Sequence, residues 1–324
     1  MKVGTIGTSF ITEWLIQAMQ DNGVEVVACY SRSEEKGKNL ADKFNVQKVY
    51  TDFNEMLKDK EINFIYVASP NSLHYSYTKL ALNSGKNVIC EKPFFSNARE
   101  TKEMIELAKE KHLMLFEAIT VIHNPNVNRM KELLDTIKPI KIVEANMSQY
   151  SRKYDAFLNG EHPNVFTTKY SGGALMDINI YNLHFVLHIF GMPEKVNYIA
   201  NIKEGIDTSG IVTLRYPNFV CSLVGSKDNI GYNFAQIQGE NGYIKGTPAI
   251  SICNNVDYQI RKNGVTYYNL LEDKDSHYYE VKAMKEIYDN QDYQECYRLL
   301  EHSLNVMQVV DMLKKDANIK FDND

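Results

Sequence analysis

The first 120 residues alternate two kinds of hydrophobic pattern. Short apolar runs at residues 2–6, 24–30, 47–50, 63–68, 87–90 and 113–118 have the length of strands. Between them apolar positions recur at helical spacing. Ile11, Leu15, Ala18 and Met19 form one such stripe, and Gly23 closes it. Polar signals mark the other helix starts: Ser33 before Glu34 and Glu35, Asp52 with Glu55 three residues on, and Asn97 with Glu100. A further helix is expected over 72–84, closed by Gly85. This β-α-β-α rhythm predicts a parallel sheet with helices on both faces.

The pattern changes near residue 120. Pro125 sits where a helix begins, and a strand is expected over 141–150. A loop rich in Asn, Pro, Lys and Tyr follows over 151–172, then a helix over 173–190 stopped by Gly191. From 195 to 270, strand-like runs are separated by Tyr216-Pro217-Asn218, Glu240-Asn241-Gly242 and Asn263-Gly264, which read as turns of an antiparallel sheet. The last 50 residues are helical, with Leu299, Ser303, Val306, Met307 and Val310 on one stripe. Two domains are therefore expected, 1–120 and 121–324.

Composition narrows the class. A formal net charge of −5 gives no reason to expect a nucleic-acid partner or an anionic membrane surface. No apolar run approaches the length of a membrane span. Cys29, Cys90, Cys221, Cys253 and Cys296 are scattered without paired spacing, which suits a reducing compartment. No apolar leader precedes the strand at Lys2-Val3. The expectation is a soluble cytoplasmic protein.

Chemistry concentrates at strand ends. The run Asn87-Val88-Ile89-Cys90 leads straight into Glu91-Lys92-Pro93. An unpaired charge is very costly inside a fold, so Lys92 must point into a cleft. Pro93 holds the residue before it out of the helical region and stiffens the turn. In an open α/β sheet, the cleft beyond the carboxyl ends of the strands is where ligands bind.

The first strand ends in Gly7-Thr8-Ser9-Phe10-Ile11-Thr12. Of a dinucleotide fingerprint G-x-G-x-x-G only the first glycine is present, but the strand before and helix after are the context that motif needs. The turn is either a phosphate site at a helix N-terminus or a plain strand-helix connection. The second strand ends Tyr30-Ser31-Arg32-Ser33, with no carboxylate until Glu34. Arg32 can pair with a 2′-phosphate and Ser31 can hydrogen-bond it, which favours NADP over NAD. Ser69-Pro70-Asn71 follows another strand and faces the same cleft, and His74 either contacts the nicotinamide ribose or begins the helix.

The glycine turn, Ser69-Pro70-Asn71 with His74, and Glu91-Lys92-Pro93 stand in order at strand ends. That series resembles the glucose–fructose oxidoreductase / inositol dehydrogenase / rhizopine-catabolism (Gfo/Idh/MocA) family. Phe116-Glu117-Ala118 is similar to the family's domain junction. Ser171-Gly172-Gly173-Ala174-Leu175-Met176-Asp177-Ile178-Asn179-Ile180-Tyr181 resembles its G-G-[GA]-L-x-D-x-G-x-[HY] segment, with Asn179 where glycine is usual. The resemblance implies an α/β protein: a Rossmann dinucleotide-binding domain, then an α/β domain with a large open, mainly antiparallel sheet. That sheet often mediates dimers or tetramers in the family.

The resemblance also implies hydride transfer between nicotinamide and a carbinol or carbonyl of a sugar, polyol or related diol. Gly7, Thr8, Ser9, Phe10, Ile11, Ser31, Arg32, Ser69, Pro70, Asn71, His74, Glu91 and Lys92 would then line the cofactor. Asp177 and Tyr181 are four apart, so they share a helix face. Tyr181 would exchange the hydroxyl proton with Lys92 as its electrostatic partner, or the two would trade roles. A phenol is a poor base at neutral pH, and a nearby ammonium lowers its pKa. Asp177 would orient substrate or pair with Lys92. His184 and His188 continue the stripe, but no third ligand accompanies them, so packing or substrate contact is preferred to a metal. His123, Asn164 and Lys169 either contact a hydroxylated ligand or belong to ordinary loops. A nucleotide-binding sensor without turnover, and a hydrolase or epimerase that recycles a bound cofactor, are the alternatives on the same fold.

Overall fold

The six apolar runs of the first third become six parallel strands. In the computed structural model, which describes residues 1–324, they are β1 (Lys2–Ile6), β2 (Glu25–Tyr30), β3 (Lys48–Tyr50), β4 (Phe64–Val67), β5 (Asn87–Glu91) and β6 (Leu115–Ala118). The sheet order is β3-β2-β1-β4-β5-β6, with every pairing parallel. The helices between them are α1 (Phe10–Asp21), α2 (Glu34–Phe44), α3 (Phe53–Lys58), α4 (His74–Asn83) and α5 (Ala98–Glu110). The cap signals act as such: Ser33, Asp52 and Asn97 accept from the backbone N–H of Lys36, Asn54 and Glu100.

Both faces of this sheet are covered. Phe64, Tyr66, Ile89 and Phe116 pack into one apolar cluster with Leu15 and Ile16 of α1. Ile65, Val67, Val88, Cys90 and Leu115 pack into the other with Phe94, Phe95 and Met104. Strands buried on both faces read as continuous apolar runs, which is why their pattern was not alternating. Val281, Met284 and Cys296 join the first cluster from the far end of the chain. The compact unit built here is accordingly Met1–Ala118 together with His277–Leu304.

The second unit is Ile119–Ser276 with Asn305–Asp324. Its sheet has eight strands: β7 (Ile140–Ser148), β8 (Lys195–Lys203), β9 (Ile206–Arg215), β10 (Val220–Ser226), β11 (Phe234–Gly239), β12 (Gly242–Thr247), β13 (Asn255–Ile260) and β14 (Thr266–Tyr268). The order is β14-β13-β12-β11-β7-β10-β9-β8, antiparallel except for β7 beside β10. The expected turns at Tyr216-Pro217-Asn218 and Glu240-Asn241-Gly242 connect β9 to β10 and β11 to β12. Short helices α6 (Pro125–Glu132), α7 (Leu134–Ile137) and α8 (Tyr154–Leu158) precede α9 (Ile180–Phe190). The C-terminal region forms α10 (Ser276–Asp289) and α11 (Tyr293–Asp316).

One expected helix differs in kind. Residues 173–190 do not form a single α-helix, because Leu175–Asn179 is a π-helical turn that leads into α9. π-Turns of this sort cluster at functional sites. Asp177 lies in the π-turn and Tyr181 in the first turn of α9.

Candidate active site

In the first unit, the carboxyl ends of four strands meet along one edge. Ile6 pairs with Tyr30 and Val67, and Val67 with Cys90. The turns that follow, at Gly7, Ser31, Ser69 and Lys92, therefore share that edge. The strand order reverses between β1 and β4, which makes this the switch point where such sheets bind ligands.

Gly7 shows how closely the backbones approach there. Its φ is +110°, and a Cβ on it would lie 2.5 Å from the carbonyl oxygen of Ala68. Only glycine fits. Ser9 and Phe10 are exposed at the start of α1, while Thr12 is fully buried and 3.3 Å from the Ser9 hydroxyl. Thr12 thus fills the space behind the turn, and the turn's outer surface stays open. A narrow glycine cradle opening onto a 12-residue helix N-terminus fits a dinucleotide pyrophosphate. Arg32 is exposed, and Ser31 accepts from the backbone N–H of Ser33 at 3.2 Å. Glu34, the first carboxylate after the strand, pairs with Lys38 at 2.7 Å along the surface of α2.

Lys92 stands out by contrast with its surroundings. From Val88 to Asn97 every residue is buried except Lys92. That stretch is packed, and Lys92 alone in it is half-buried. His74 braces this turn from below. It is buried, with Nε2 2.9 Å from the Ser69 carbonyl and Nδ1 3.0 Å from the Pro93 carbonyl. Burial pushes the imidazole pKa down, against the opposing pull of those carbonyls.

The second unit repeats the exposure pattern. From Ser171 to Leu187, only Asp177 and Tyr181 are not buried. The two glycines before them are required by contact. A Cβ on Gly172 would lie 2.6 Å from the carbonyl carbon of Val165. Gly173 has φ +103°, and a Cβ there would collide with Asp207 Oδ1. Asp207 is itself fully buried and accepts from the Leu175 N–H at 2.6 Å and the Tyr198 hydroxyl at 2.7 Å. It therefore anchors the start of the π-turn, and burial raises its pKa. Tyr181 packs beside Met147, Ile178 and Ala249. Asn179 turns inward: its side chain donates to the Leu223 carbonyl at 3.1 Å, and Gly225 supplies the room, since a Cβ there would be 2.6 Å from Asn179 Cβ.

Residues 1–119 match the profile of an oxidoreductase family with an NAD-binding Rossmann fold, and residues 127–245 match the GFO/IDH/MocA C-terminal domain. The chain belongs to the GFO/IDH/MocA family. It is 32% identical over 327 residues to the NADP(+)-dependent scyllo-inositol 2-dehydrogenase of Bacillus subtilis, covering 100% of this chain and 99% of that one. It is 30% identical over 253 residues to mouse (Mus musculus) trans-1,2-dihydrobenzene-1,2-diol dehydrogenase, covering 74% and 73%. Among solved structures, a 3-ketoreductase of Actinomadura kijaniata in complex with TDP-benzene and NADP aligns with a TM-score of 0.85 at 20% identity, over 98% of this chain and 97% of that one. A levoglucosan dehydrogenase in complex with NADH and levoglucosan aligns with a TM-score of 0.85 at 18% identity, over 98% and 97%.

Within this GFO/IDH/MocA fold, several expected site residues change place. Glu91, expected at the cofactor surface, turns its side chain into the fold. It is buried, with Oε1 accepting from the Tyr66 hydroxyl at 2.6 Å and Oε2 from the Lys92 N–H at 3.2 Å. Burial raises its pKa, with the Tyr66 hydrogen bond and the Lys92 charge opposing. His74 begins α4 and is too enclosed for a ribose contact; it ties two turns together instead. His184 is 0% exposed, so the expected substrate contact gives way to packing inside α9. His188 faces Asn128, at 3.2 Å. Asn164 and Lys169 are exposed, and the Lys169 ammonium lies over the Tyr170 ring. His123 is half-buried in a turn packed against α9.

Two residues escaped sequence reasoning. Asp207 had no local signal. Lys227 did: it ends the run from Val220 to Ser226 much as Lys92 ends its own strand. Its ammonium forms an ion pair with Asp177.

Proposed function

We propose that this chain is an NADP-dependent dehydrogenase or reductase acting on a CH–OH group of a cyclic polyol, sugar or related diol. The observation that carries the site is the pattern of exposure. Lys92 in one unit, and Asp177 with Tyr181 in the other, are the half-buried residues of stretches that are otherwise buried. Gly7, Ser9, Phe10 and Ile11 would hold the pyrophosphate, Ser31 and Arg32 the 2′-phosphate, and Ser69, Pro70 and Asn71 would flank them. The absence of a carboxylate at the end of β2 favours NADP over NAD. When bound, the nicotinamide supplies the hydride acceptor or donor.

The protein's own part is proton transfer and orientation. Tyr181 takes the hydroxyl proton as the carbinol becomes a carbonyl, and returns it in the reverse direction. Lys92 is the cation proposed to stabilise charge on the reacting oxygen. Asp177 accepts a hydrogen bond from a second hydroxyl. The relatives that act on an inositol and on a dihydrodiol support a substrate with neighbouring hydroxyls.

We place the protein in the cytoplasm, where its five free, buried cysteines stay reduced. No helix is long and apolar enough to cross a membrane. The open face of the second sheet carries Ile142, Ile199, Ile211 and Val220, with Ile199 71% exposed. Such a face supports a homodimer or homotetramer, and a monomer mass by sedimentation at micromolar protein would remove that assignment.

The test of function is direct. NADPH and NADH are titrated by nicotinamide fluorescence, and inositols, sugars and diols are then screened by absorbance. Tighter binding of NADPH and turnover of a vicinal diol or polyol are expected. Failure to bind either nucleotide would sink the reading.

A further inference from the structure

Lys227 is held too carefully for a surface lysine. Its N–H donates to the Thr208 carbonyl at 2.8 Å, and its own carbonyl accepts from the Ser151 N–H at 2.9 Å. The next residue, Asp228, accepts from the hydroxyls of Thr208, Ser209 and Ser226 at 2.7, 2.9 and 2.9 Å. Burial alone would raise the Asp228 pKa, but those three donors outweigh it and hold it below its usual range. The backbone on both sides of Lys227 is therefore clamped.

The side chain then runs inward. It is 2% exposed, against 29% for Asp177. The ammonium passes 4.8 Å from the ring centroid of Phe166 and ends on Asp177 Oδ2. Phe166 is buried and stacked on Phe157, with centroids 4.9 Å apart and planes 9° from parallel. A cation between a ring face and a carboxylate is well matched. Stability does not call for it, because a buried ion pair replaced by apolar side chains of similar volume is often no less stable.

We infer that Lys227 is a positioning residue for the reaction: its ion pair fixes the Asp177 side chain, so that this carboxylate receives a hydroxyl of a neutral polyol or diol. The inference rests on the function proposed above. A lone carboxylate at that spot would attract cationic ligands such as amino sugars; paired with Lys227 it carries no net charge and selects hydroxyl donors instead.

Steady-state kinetics on the full-length protein with saturating NADP, using the polyol or diol that the wild type turns over, tests this. Lys227→Met should raise KM for that substrate by about tenfold or more, the range expected on losing a hydrogen bond to a charged group. NADPH affinity should not move, and Lys227→Arg should recover part of the loss. Asp177→Asn should raise KM similarly. The Lys227→Met/Asp177→Asn double variant leaves no stranded charge, and its KM should match that of Asp177→Asn alone. A KM for Lys227→Met within twofold of wild type, or a double variant whose KM rise is the product of the two single rises, would overturn the inference. Wild-type protein that binds NADPH but oxidises no polyol or diol would overturn the functional reading and this inference with it.

Discussion

The turn around Lys92 and the turn around Asp177 are opposite solutions to one problem. Each must present a charge from within a buried stretch. At Lys92 the half-buried group is a cation and the buried neighbour is a carboxylate, Glu91. At Asp177 the half-buried group is an anion and the buried neighbour is an ammonium, Lys227. The difference lies in how the buried partner is satisfied. Glu91 gives its oxygens to the Tyr66 hydroxyl and the Lys92 backbone N–H, and its raised pKa makes it easy to neutralise by protonation. Lys227 is in direct ion-pair contact with the residue it supports. The first arrangement fixes backbone; the second fixes a side chain and its charge.

That contrast can be broken in order of effect. Lys92→Ala should lower kcat/KM by about 100-fold or more, the usual scale for a group that assists proton transfer. Circular dichroism should remain that of wild type, because Lys92 is the one residue of its stretch that is not buried. A variant with near-wild-type kcat/KM would take Lys92 out of the chemistry.

The next effect concerns stability. Asp177→Asn strands a buried ammonium and should cost about 3 kcal/mol, whereas Lys227→Met leaves a carboxylate that water can reach and should cost about 1 kcal/mol. Urea unfolding of both variants measures the asymmetry. Equal costs, or the reverse order, would mean that the pair is not organised around the buried lysine.

The smallest effect is a pH dependence. Burial raises the Glu91 pKa above its ordinary value of 4.5. The native state then holds that proton more tightly than the unfolded chain does. The stability from this group is full below about 4.5 and is lost as pH rises through the folded value. Glu91→Gln should flatten that decline. His74 has the opposite sign: burial lowers its pKa from 6.5, so its contribution is present above 6.5 and lost as pH falls through the folded value. Melting temperatures of Glu91→Gln and wild type between pH 4 and 8 separate the two; parallel curves would show that Glu91 does not titrate in this range.

The readable part of the site lies in short-range features. Gly7 sits between a strand and a helix, Lys92 ends an apolar run, and the Gly172-Gly173 pair precedes Asp177 and Tyr181. Those signals are local because strand and helix periods are local. The inward turn of Glu91 was not readable, since period 2 assigns a face to a strand residue but not the polar group waiting there. Nor was the burial of His184, which depends on what packs around α9.

The amino-acid sequence by itself determined the two kinds of sheet, the helix caps, and the placing of Lys92 at the end of an apolar run. Each follows from periodicity, capping chemistry or the cost of burying a charge. Only the tertiary structure decided which opposite charge lies behind Lys92 and behind Asp177, that residues 277–304 return to the first unit, and that Asn179 is accommodated by Gly225. Those outcomes join residues far apart in the chain, as Asp177 and Lys227 are by 50 positions. Such pairings are set by loop closure and packing, to which no short pattern along the chain responds.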